Sequence, residues 1–161
     1  MLRPSDIRNF MEARAMEAEI LLLEALTPTV QAAAEAVGAQ PTQIVKSILF
    51  MVAEQPVLAI ACGLDRIDRR AVAGLFGVGR KRVKLADAET VLRLTGYEVG
   101  AMPPFAHRQP LTTLLDRRVL EQPVVYAGGG AENALLRLSP TEMLRITQAR
   151  VLDLIDAQAG E

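Results

Sequence analysis

The chain has 161 residues, 50% hydrophobic and 23% charged, which predicts one compact domain, residues 1–161, and excludes a disordered linker or a multidomain enzyme. Its 18 Lys and Arg nearly balance 19 Asp and Glu, so the total charge does not indicate a nucleic-acid partner. The single cysteine, Cys62, excludes internal disulfides, and with the single histidine, His107, it argues against a metal site. Without a membrane span or a secretory signal, we expect a cytoplasmic protein with no membrane partner.

The first part of the chain predicts two helices and three strands. In order, these are a helix capped by Ser5 and Asp6 and running to about Met16, a strand within residues 18–25, a helix over 28–37 with its cap in Thr27–Thr29, and strands over 43–52 and 56–62. The short link at 53–55 favours a hairpin, at which the main sheet begins.

The second part mixes helices and strands without strict alternation. The predicted elements are a helix from Asp68 to Gly77, a strand over 82–85, a helix over 87–94 closed by Gly96, a strand end running into a loop over 96–107, strands over 112–115, 123–127 and 134–138, a helix from Ser139 to about Thr147, and a strand over 151–155. The predicted fold class is α/β, of the α+β mixed kind: a mixed, mostly antiparallel sheet flanked by helices in a single domain.

Lys46 lies inside an apolar strand, on the same face as Ile44 and Ile48. A lysine among buried neighbours is costly unless it has a partner or a task. One interpretation is a lysine near a strand end whose amine reaches water. The other is an ammonium in a cleft that holds an anion or polarises a carbonyl. Ser47 points to the opposite face of an ideal strand, so it shares a site with Lys46 only if the chain bends there.

Gly128, Gly129 and Gly130 follow an apolar strand. Three successive glycines permit positive φ angles and bring bare amides close to a ligand. A hairpin turn explains them equally well, because strands are predicted on both sides. Neither a dinucleotide fingerprint nor a P-loop spacing is present.

His107 follows Pro103, Pro104 and Phe105, so we expect it on a loop. It either acts as an acid-base group or hydrogen-bonds the loop backbone. No serine lies in a nucleophile elbow, so a Ser-His-Asp triad is not supported.

Positive charge is concentrated in one segment of the chain. Residues 66–84 contain Arg66, Arg69, Arg70, Arg80, Lys81, Arg82 and Lys84, opposed by Asp68. This segment is either a phosphate-binding surface or a solvated helix and strand edge.

Lys46, the loop before His107 and the three glycines together resemble the YbaK/ProX family of aminoacyl-tRNA deacylases, the prolyl-tRNA editing domains found free-standing or within prolyl-tRNA synthetase. The resemblance spans roughly residues 20–155. Lys46-Ser47 matches a strand lysine followed by Ser, Thr or Asn. Residues 100–106 match a Gly-x-x-x-Pro-x-Gly loop, except that Ala106 stands where the last glycine is usual, and residues 128–130 match a Gly-Gly turn.

The resemblance implies hydrolysis of the ester that joins a wrong amino acid, cysteine or alanine, to the 3′ end of proline tRNA. It implies Lys46 as the catalytic residue, which orients the ester and stabilises the oxyanion, and no cofactor or metal. The substrate-binding residues would be Ser47, Gly100, Pro104, His107, Gly128, Gly129 and Gly130. Those meeting tRNA phosphates would be Arg69, Arg70, Arg80, Lys81, Arg82 and Lys84.

The implied partners are a tRNA acceptor end and prolyl-tRNA synthetase. An aminoacyl ester is already activated, so positioning and charge stabilisation suffice without a protein nucleophile. The attacking group is then a bound water, the ribose hydroxyl or a substrate thiol. Two alternatives remain: a catalytically silent module of the same fold that binds a tRNA end or a nucleotide, and a regulatory partner of a synthetase.

Overall fold

Two β-sheets form the framework of the chain. The computed structural model describes residues 1–156. Its strands are β1 (Ala18–Leu22), β2 (Val45–Val52), β3 (Gln55–Cys62), β4 (Val83–Leu85), β5 (Thr112–Asp116), β6 (Val125–Gly128), β7 (Ala134–Leu138) and β8 (Arg150–Leu152). One sheet has the order β1-β7-β6 and is antiparallel. The other has the order β4-β2-β3-β5-β8 and is mixed, because β5 runs parallel to both β3 and β8.

Five helices accompany the sheets in the described residues. They are α1 (Pro4–Ala13), α2 (Val30–Val37), α3 (Arg69–Phe76), α4 (Ala88–Thr95) and α5 (Pro140–Thr147). Side-chain caps begin three of them: Asp68, Asp87 and Ser139 each accept a backbone N–H of the first turn. Glycines in the left-handed conformation end α2, α3 and α4 at residues 38, 77 and 96.

The predicted mixed, mostly antiparallel α/β fold is confirmed. The sequence predicts one sheet, whereas the structure divides the strands between two. β1, β6 and β7 form a sheet of their own. Its one backbone bridge to the larger sheet, among the described residues, joins Tyr126 of β6 to Ile44. Pairing between distant segments is a tertiary property that the alternation within each strand does not encode.

Two N-terminal helix boundaries differ from the prediction. Arg3 is the N-cap of α1, and Asp6 lies at the third helical position, where its carboxylate accepts the Arg3 N–H at 2.7 Å. The helix ends at Ala13 rather than near Met16. α2 begins after Thr29, whose Oγ accepts the N–H of Ala32 at 3.0 Å, so the proline of this segment precedes the helix.

Several strand boundaries also shift by a few residues. Arg82 belongs to a short 3-10 turn, Arg80–Arg82, and β4 begins after it. β6 extends to Gly128 but excludes residues 123 and 124. β8 ends at Leu152, although Ile155 still forms an isolated bridge to Ile67. No regular element lies at the start of the 96–107 loop, since Gly96 is the C-cap of α4.

The predicted hairpin is confirmed. β2 and β3 pair along their whole length, with Val52 opposite Gln55. The two intervening residues, Ala53 and Glu54, have φ angles of 47° and 71°, as a tight two-residue hairpin turn requires.

Three apolar clusters fill the spaces between these layers. One lies on the α3 side of the larger sheet and includes Phe50, Val72 and Leu114. A second lies between the two sheets and the helices α1 and α5. The third packs α2 on the outer face of the smaller sheet, around Ala33 and Leu135. The larger sheet is therefore buried on both faces.

The sheets meet at one point and separate beyond it. The Ile44–Tyr126 bridge is parallel, and the carbonyl of Ile44 also accepts the N–H of Gly63 at 2.6 Å. Past this bridge, β2 continues along β3 while β6 continues along β7. The divergence leaves a space beside Lys46 that neither sheet fills.

The three glycines allow close packing of the loop at 101–102, β7 and α1. A Cβ on Gly128 would lie 2.4 Å from the Met102 carbonyl oxygen, and one on Gly129 would lie 2.7 Å from the Ala134 carbonyl carbon. Gly130 has a φ of 94° and lies against the start of α1. The run is thus explained by close approach of backbones.

We expect Gly128→Ala to lower the free energy of unfolding by about 1–3 kcal/mol, because the added methyl meets backbone rather than a side chain that rotates away. Gly74→Ala in α3 is the matched control, since a Cβ there meets nothing within 4 Å. That control should raise stability by about 0.5–1 kcal/mol. Urea denaturation measures both variants, and equal effects would contradict the packing argument.

Candidate active site

A cavity of about 220 Å³ occupies the space where the sheets diverge. We call it the inter-sheet cavity. Its polar or backbone-exposing walls are Thr27, Thr29, Lys46, Ser47, Gly100, Gly128 and Glu132. Its apolar walls are mostly small or branched: Pro28, Val30, Ala33, Ile44, Val45, Met102, Ala127, Ala131, Ala134 and Leu135. Segments far apart in sequence therefore enclose one site.

Lys46 is held by the backbone of the chain that follows β3. It lies opposite Ala61 in the hairpin, and its Nζ donates a hydrogen bond to the carbonyl oxygen of Asp65. Burial lowers the pKa of the Lys46 ammonium, while the negative charge of Asp65 opposes that shift. An ammonium has three N–H donors, so this one contact leaves donors for a ligand.

A second, larger cavity of about 500 Å³ lies on the α3 side of β2. We call it the basic cavity. Its ionisable walls are Lys46, Arg66, Arg69, Arg70 and Arg80, together with Asp65, Asp68 and Asp156. Lys46 lines both cavities, and Asp65, whose carbonyl accepts the Lys46 amine, lines the larger one.

Ser47 supplies a hydroxyl that has no hydrogen-bond partner. Its Oγ is buried and unpaired among the residues that the structure describes, and Ser47 lines the inter-sheet cavity. Buried polar groups in folded proteins are nearly always hydrogen-bonded, so an unpaired one at a cavity wall suits a ligand or a water. Lys46 also lines this cavity, although the two residues point to opposite faces of the strand.

The structure brings four of the sequence-predicted residues together: Lys46, Ser47, Gly100 and Gly128 all line the inter-sheet cavity. The other two glycines do not line it. The Gly129 N–H donates to the Ala134 carbonyl at 3.1 Å, and the Gly130 N–H donates to the Ala101 carbonyl at 2.8 Å. These amides are therefore engaged in holding the loop.

Pro104 and His107 lie elsewhere. Both line a separate cavity of about 350 Å³ beside Phe10 of α1 and Arg14, the residue after that helix. His107 Nε2 donates to the Pro103 carbonyl at 2.7 Å, and burial lowers the pKa of the imidazole. The structure thus gives this histidine the backbone-bonding role rather than a position beside Lys46.

Ala106 adopts the backbone conformation that explains the glycine usual at this position. Its φ is 63°, in the left-handed region, and its carbonyl accepts a hydrogen bond from the Tyr97 hydroxyl at 2.9 Å. An alanine in this region is strained by about 1–2 kcal/mol. The loop therefore keeps its shape despite the missing glycine, held by the buried Tyr97.

The basic segment is only partly gathered around one cavity. Arg69, Arg70 and Arg80 line the basic cavity, whereas Lys81, Arg82 and Lys84 are exposed and lie outside its wall. Asp68 caps α3 and lies 4.0 Å from the Arg70 guanidinium. The folded chain thus divides the basic residues between a cavity and an open surface.

Sequence reasoning missed two contributors to the site. The Asp65 carbonyl that holds Lys46 acts through its backbone, which no side-chain pattern reveals. Glu132 reaches the inter-sheet cavity from the β6–β7 loop. Its position two residues after the glycines was a signal, but its relation to Lys46 depends on how the sheets meet.

Within residues 1–156, no cluster of three or more His, Cys, Asp or Glu side chains has the arrangement of a metal site. In the same range, every helix is too short or too polar to span a bilayer.

We expect His107 to make stability depend on pH. Its pKa lies below its ordinary value of about 6.5, so the unfolded chain binds the proton first as pH falls. The free energy of unfolding should therefore fall below pH 6.5, by at most about 1.4 kcal/mol per pH unit from this residue. His107→Gln should have a shallower pH dependence in urea denaturation, and parallel curves would refute the assignment.

The known proteins that this chain resembles agree with one another. Residues 24–146 match the model of the aminoacyl-tRNA editing domain. The uncharacterized protein YwhH of Bacillus subtilis is 27% identical over 136 residues, 84% of this chain and 85% of that protein. Proline-tRNA ligase of Streptococcus equi subsp. equi is 29% identical over 143 residues, 87% of this chain but 22% of the ligase.

Solved structures agree. A crystal structure described as "a putative trans-editing enzyme for prolyl tRNA synthetase" has a TM-score of 0.89 and 35% identity, covering 96% of this chain and 97% of that one. That of hypothetical protein APE2540 has a TM-score of 0.87 and 34% identity, covering 94% and 99%. The family match over residues 24–146, with these two structures, identifies the chain as a member of the aminoacyl-tRNA editing domain family.

Proposed function

We propose that this protein is a trans-editing deacylase, which hydrolyses the ester of proline tRNA mischarged with cysteine or alanine. The observation that carries the proposal is the position of Lys46 between two unlike cavities. Support also comes from the similarity to proline-tRNA ligase and to the trans-editing structure. A charged tRNA substrate is consistent with a cytoplasmic protein that works beside prolyl-tRNA synthetase.

The inter-sheet cavity suits the aminoacyl group. Its volume of about 220 Å³ equals roughly seven water molecules at ~30 Å³ each. Alanyl and cysteinyl groups have about five and six non-hydrogen atoms, so both fit this space. The small side chains of Ala33, Ala127 and Ala134 form part of the wall, so the space favours a short side chain.

Lys46 would supply the electrostatic part of catalysis. Attack on the ester carbonyl carbon places negative charge on the carbonyl oxygen, and an ammonium N–H donated to that oxygen stabilises the intermediate. Partial burial removes water that would weaken the interaction. Collapse of the intermediate breaks the bond to the ribose oxygen, which takes up a proton, and releases the amino acid.

The nucleophile remains one of three groups in this proposal: a bound water, the neighbouring ribose hydroxyl or the thiol of an attached cysteine. A water releases the amino acid directly. The ribose hydroxyl instead moves the ester to the neighbouring ribose oxygen, and the thiol forms a cyclic thioester while the ribose oxygen leaves with a proton, so in both of these routes a water molecule must then hydrolyse the product to complete the reaction. The unpaired Ser47 hydroxyl is suited to hydrogen-bond a water or the ester.

The basic cavity would receive the sugar-phosphate backbone of the tRNA end. Its arginines carry charge on exposed side chains next to Lys46. Contacts of this kind position a nucleic acid without reading its sequence, and their strength depends on salt. Lys81, Arg82 and Lys84, on the open surface beside the cavity, would extend this contact along the acceptor stem.

We expect Lys46→Met to reduce kcat/KM for deacylation of alanyl- or cysteinyl-tRNA(Pro) by about 100- to 1,000-fold, because it removes the charge at the oxyanion. Methionine keeps most of the apolar stem, so urea denaturation should show a folded protein. The measurement is release of labelled amino acid from each charged tRNA.

Equal rates for wild type and Lys46→Met would exclude Lys46 from the mechanism. A wild-type protein that binds the charged tRNA but releases no amino acid would contradict the deacylase and favour the silent binding module.

We expect Arg69→Ala combined with Arg80→Ala to weaken tRNA binding and its salt dependence. Each lost phosphate contact lowers the slope of log affinity against log salt by about 0.7–0.9, so the pair should lower it by about 1.5. Fluorescence titration with tRNA(Pro) at several salt concentrations gives the slope.

Arg93→Ala combined with Arg150→Ala is the matched control for charge, since both arginines are exposed and neither lines either cavity. It should leave the slope close to that of wild type. The same slope in both double variants would show that the arginines of the basic cavity are solvated and do not contact tRNA phosphates.

A further inference from the structure

The inter-sheet cavity has two ionisable walls of opposite sign. Lys46 is its cation and Glu132 is its anion, while the other side chains that line it are uncharged. The carboxylate of Glu132 makes no hydrogen bond or ion pair with any residue in 1–156. An unpaired carboxylate at the rim of a small cavity is suited to a positively charged group of the occupant.

The backbone fixes the position of this carboxylate. Glu132 lies in the loop between β6 and β7, and its carbonyl accepts both the N–H of Thr27 at 3.0 Å and the Thr27 Oγ at 3.2 Å. Two hydrogen bonds from one residue hold the loop against the segment before α2. Glu132 is exposed, but its attachment point is therefore ordered relative to the cavity.

The other polar side chains that line the cavity, Lys46 apart, are neutral hydroxyls. The Thr27 hydroxyl is committed to the Glu132 carbonyl, and the Thr29 hydroxyl caps α2. The Ser47 hydroxyl is neutral and unpaired. Glu132 is thus the one side chain lining the cavity, among the described residues, that offers a full negative charge.

An aminoacyl ester has a matching polarity. Its carbonyl oxygen becomes negative during attack, and its α-ammonium group, one carbon away from the carbonyl, is positive. Lys46 attracts the first and repels the second. An ester that presents its carbonyl to Lys46 therefore turns its ammonium away from Lys46, toward the remaining walls.

We propose that Glu132 binds the α-ammonium group of the aminoacyl ester and thereby selects esters with a free amino group. This inference rests on the proposed deacylase function. The opposite charges orient the ester, because the reversed orientation places ammonium against ammonium and carbonyl against carboxylate. Esters whose α-nitrogen is acylated or replaced lack the charge and leave Glu132 unpaired.

The selection matters for a deacylase acting in trans, because peptidyl-tRNA carries the same kind of ester at its 3′ end but has an acylated α-nitrogen. A carboxylate that recognises the ammonium group favours the aminoacyl form over the peptidyl form. The small volume of the cavity also opposes binding of a peptidyl group.

The experiment compares alanyl-tRNA(Pro) with lactyl-tRNA(Pro), in which a hydroxyl replaces the ammonium without changing the size of the group. Each enzymatic rate is divided by the rate of the uncatalysed ester. Glu132→Gln should lower kcat/KM for the alanyl ester by about 10-fold, as for loss of one charged hydrogen bond, and should leave the lactyl ester nearly unchanged. Glu132→Asp should restore part of the preference.

Glu35→Gln is the matched control, because it changes the net charge by the same amount. Glu35 is exposed on α2 and does not line the cavity. It should leave both rates as in wild type. Equal loss on both esters in Glu132→Gln, or no loss on either, would overturn the assignment of Glu132 while the deacylase function stands. Failure of the wild type to hydrolyse either ester would overturn the proposed function and this inference together.

Discussion

Retention of a lysine amine inside the fold is the constraint on which the site depends. The Lys46 ammonium is partly removed from water, and the compensating contact is a backbone carbonyl at Asp65. A carbonyl offers a partial negative charge, so it holds the amine without neutralising it as a carboxylate would. Lys46 lines two cavities, and the charge that its amine retains lies next to them.

The division of strands between two sheets creates the space next to this amine. Tyr126 of β6 forms one bridge to Ile44, the residue before β2, and the two strands then follow different partners. A continuous sheet would bury Ser47 and Gly128 against neighbours, whereas the divergence leaves both at a cavity wall. The glycine run makes the arrangement compact, because it allows the 101–102 loop to approach the end of β6.

Charge is separated in space although the chain is nearly neutral. The basic residues gather on the α3 side of the larger sheet, and Glu132 lies on the other side, at the inter-sheet cavity. This arrangement suits the substrate that we propose, which has phosphates at one end and an ammonium at the other. The similarity to a free-standing protein along most of its length, and to 22% of a proline-tRNA ligase, shows the same domain in two contexts.

The sequence by itself determined the local elements: the β2–β3 hairpin, the helices capped by Asp68, Asp87 and Ser139, and the mixed fold class. Caps, breakers and alternation act over a few residues, so they are readable along the chain. The sequence also singled out Lys46, since a charge inside an apolar strand is visible without a fold.

The tertiary structure decided what surrounds that lysine. In the folded chain the amides of Gly129 and Gly130 form backbone hydrogen bonds. Pro104 and His107 line another cavity, and Glu132 lines the cavity beside Lys46. Each of these outcomes depends on contacts between segments distant in sequence. Such contacts follow from how two sheets and a loop pack together, and the pattern within any one segment does not specify them.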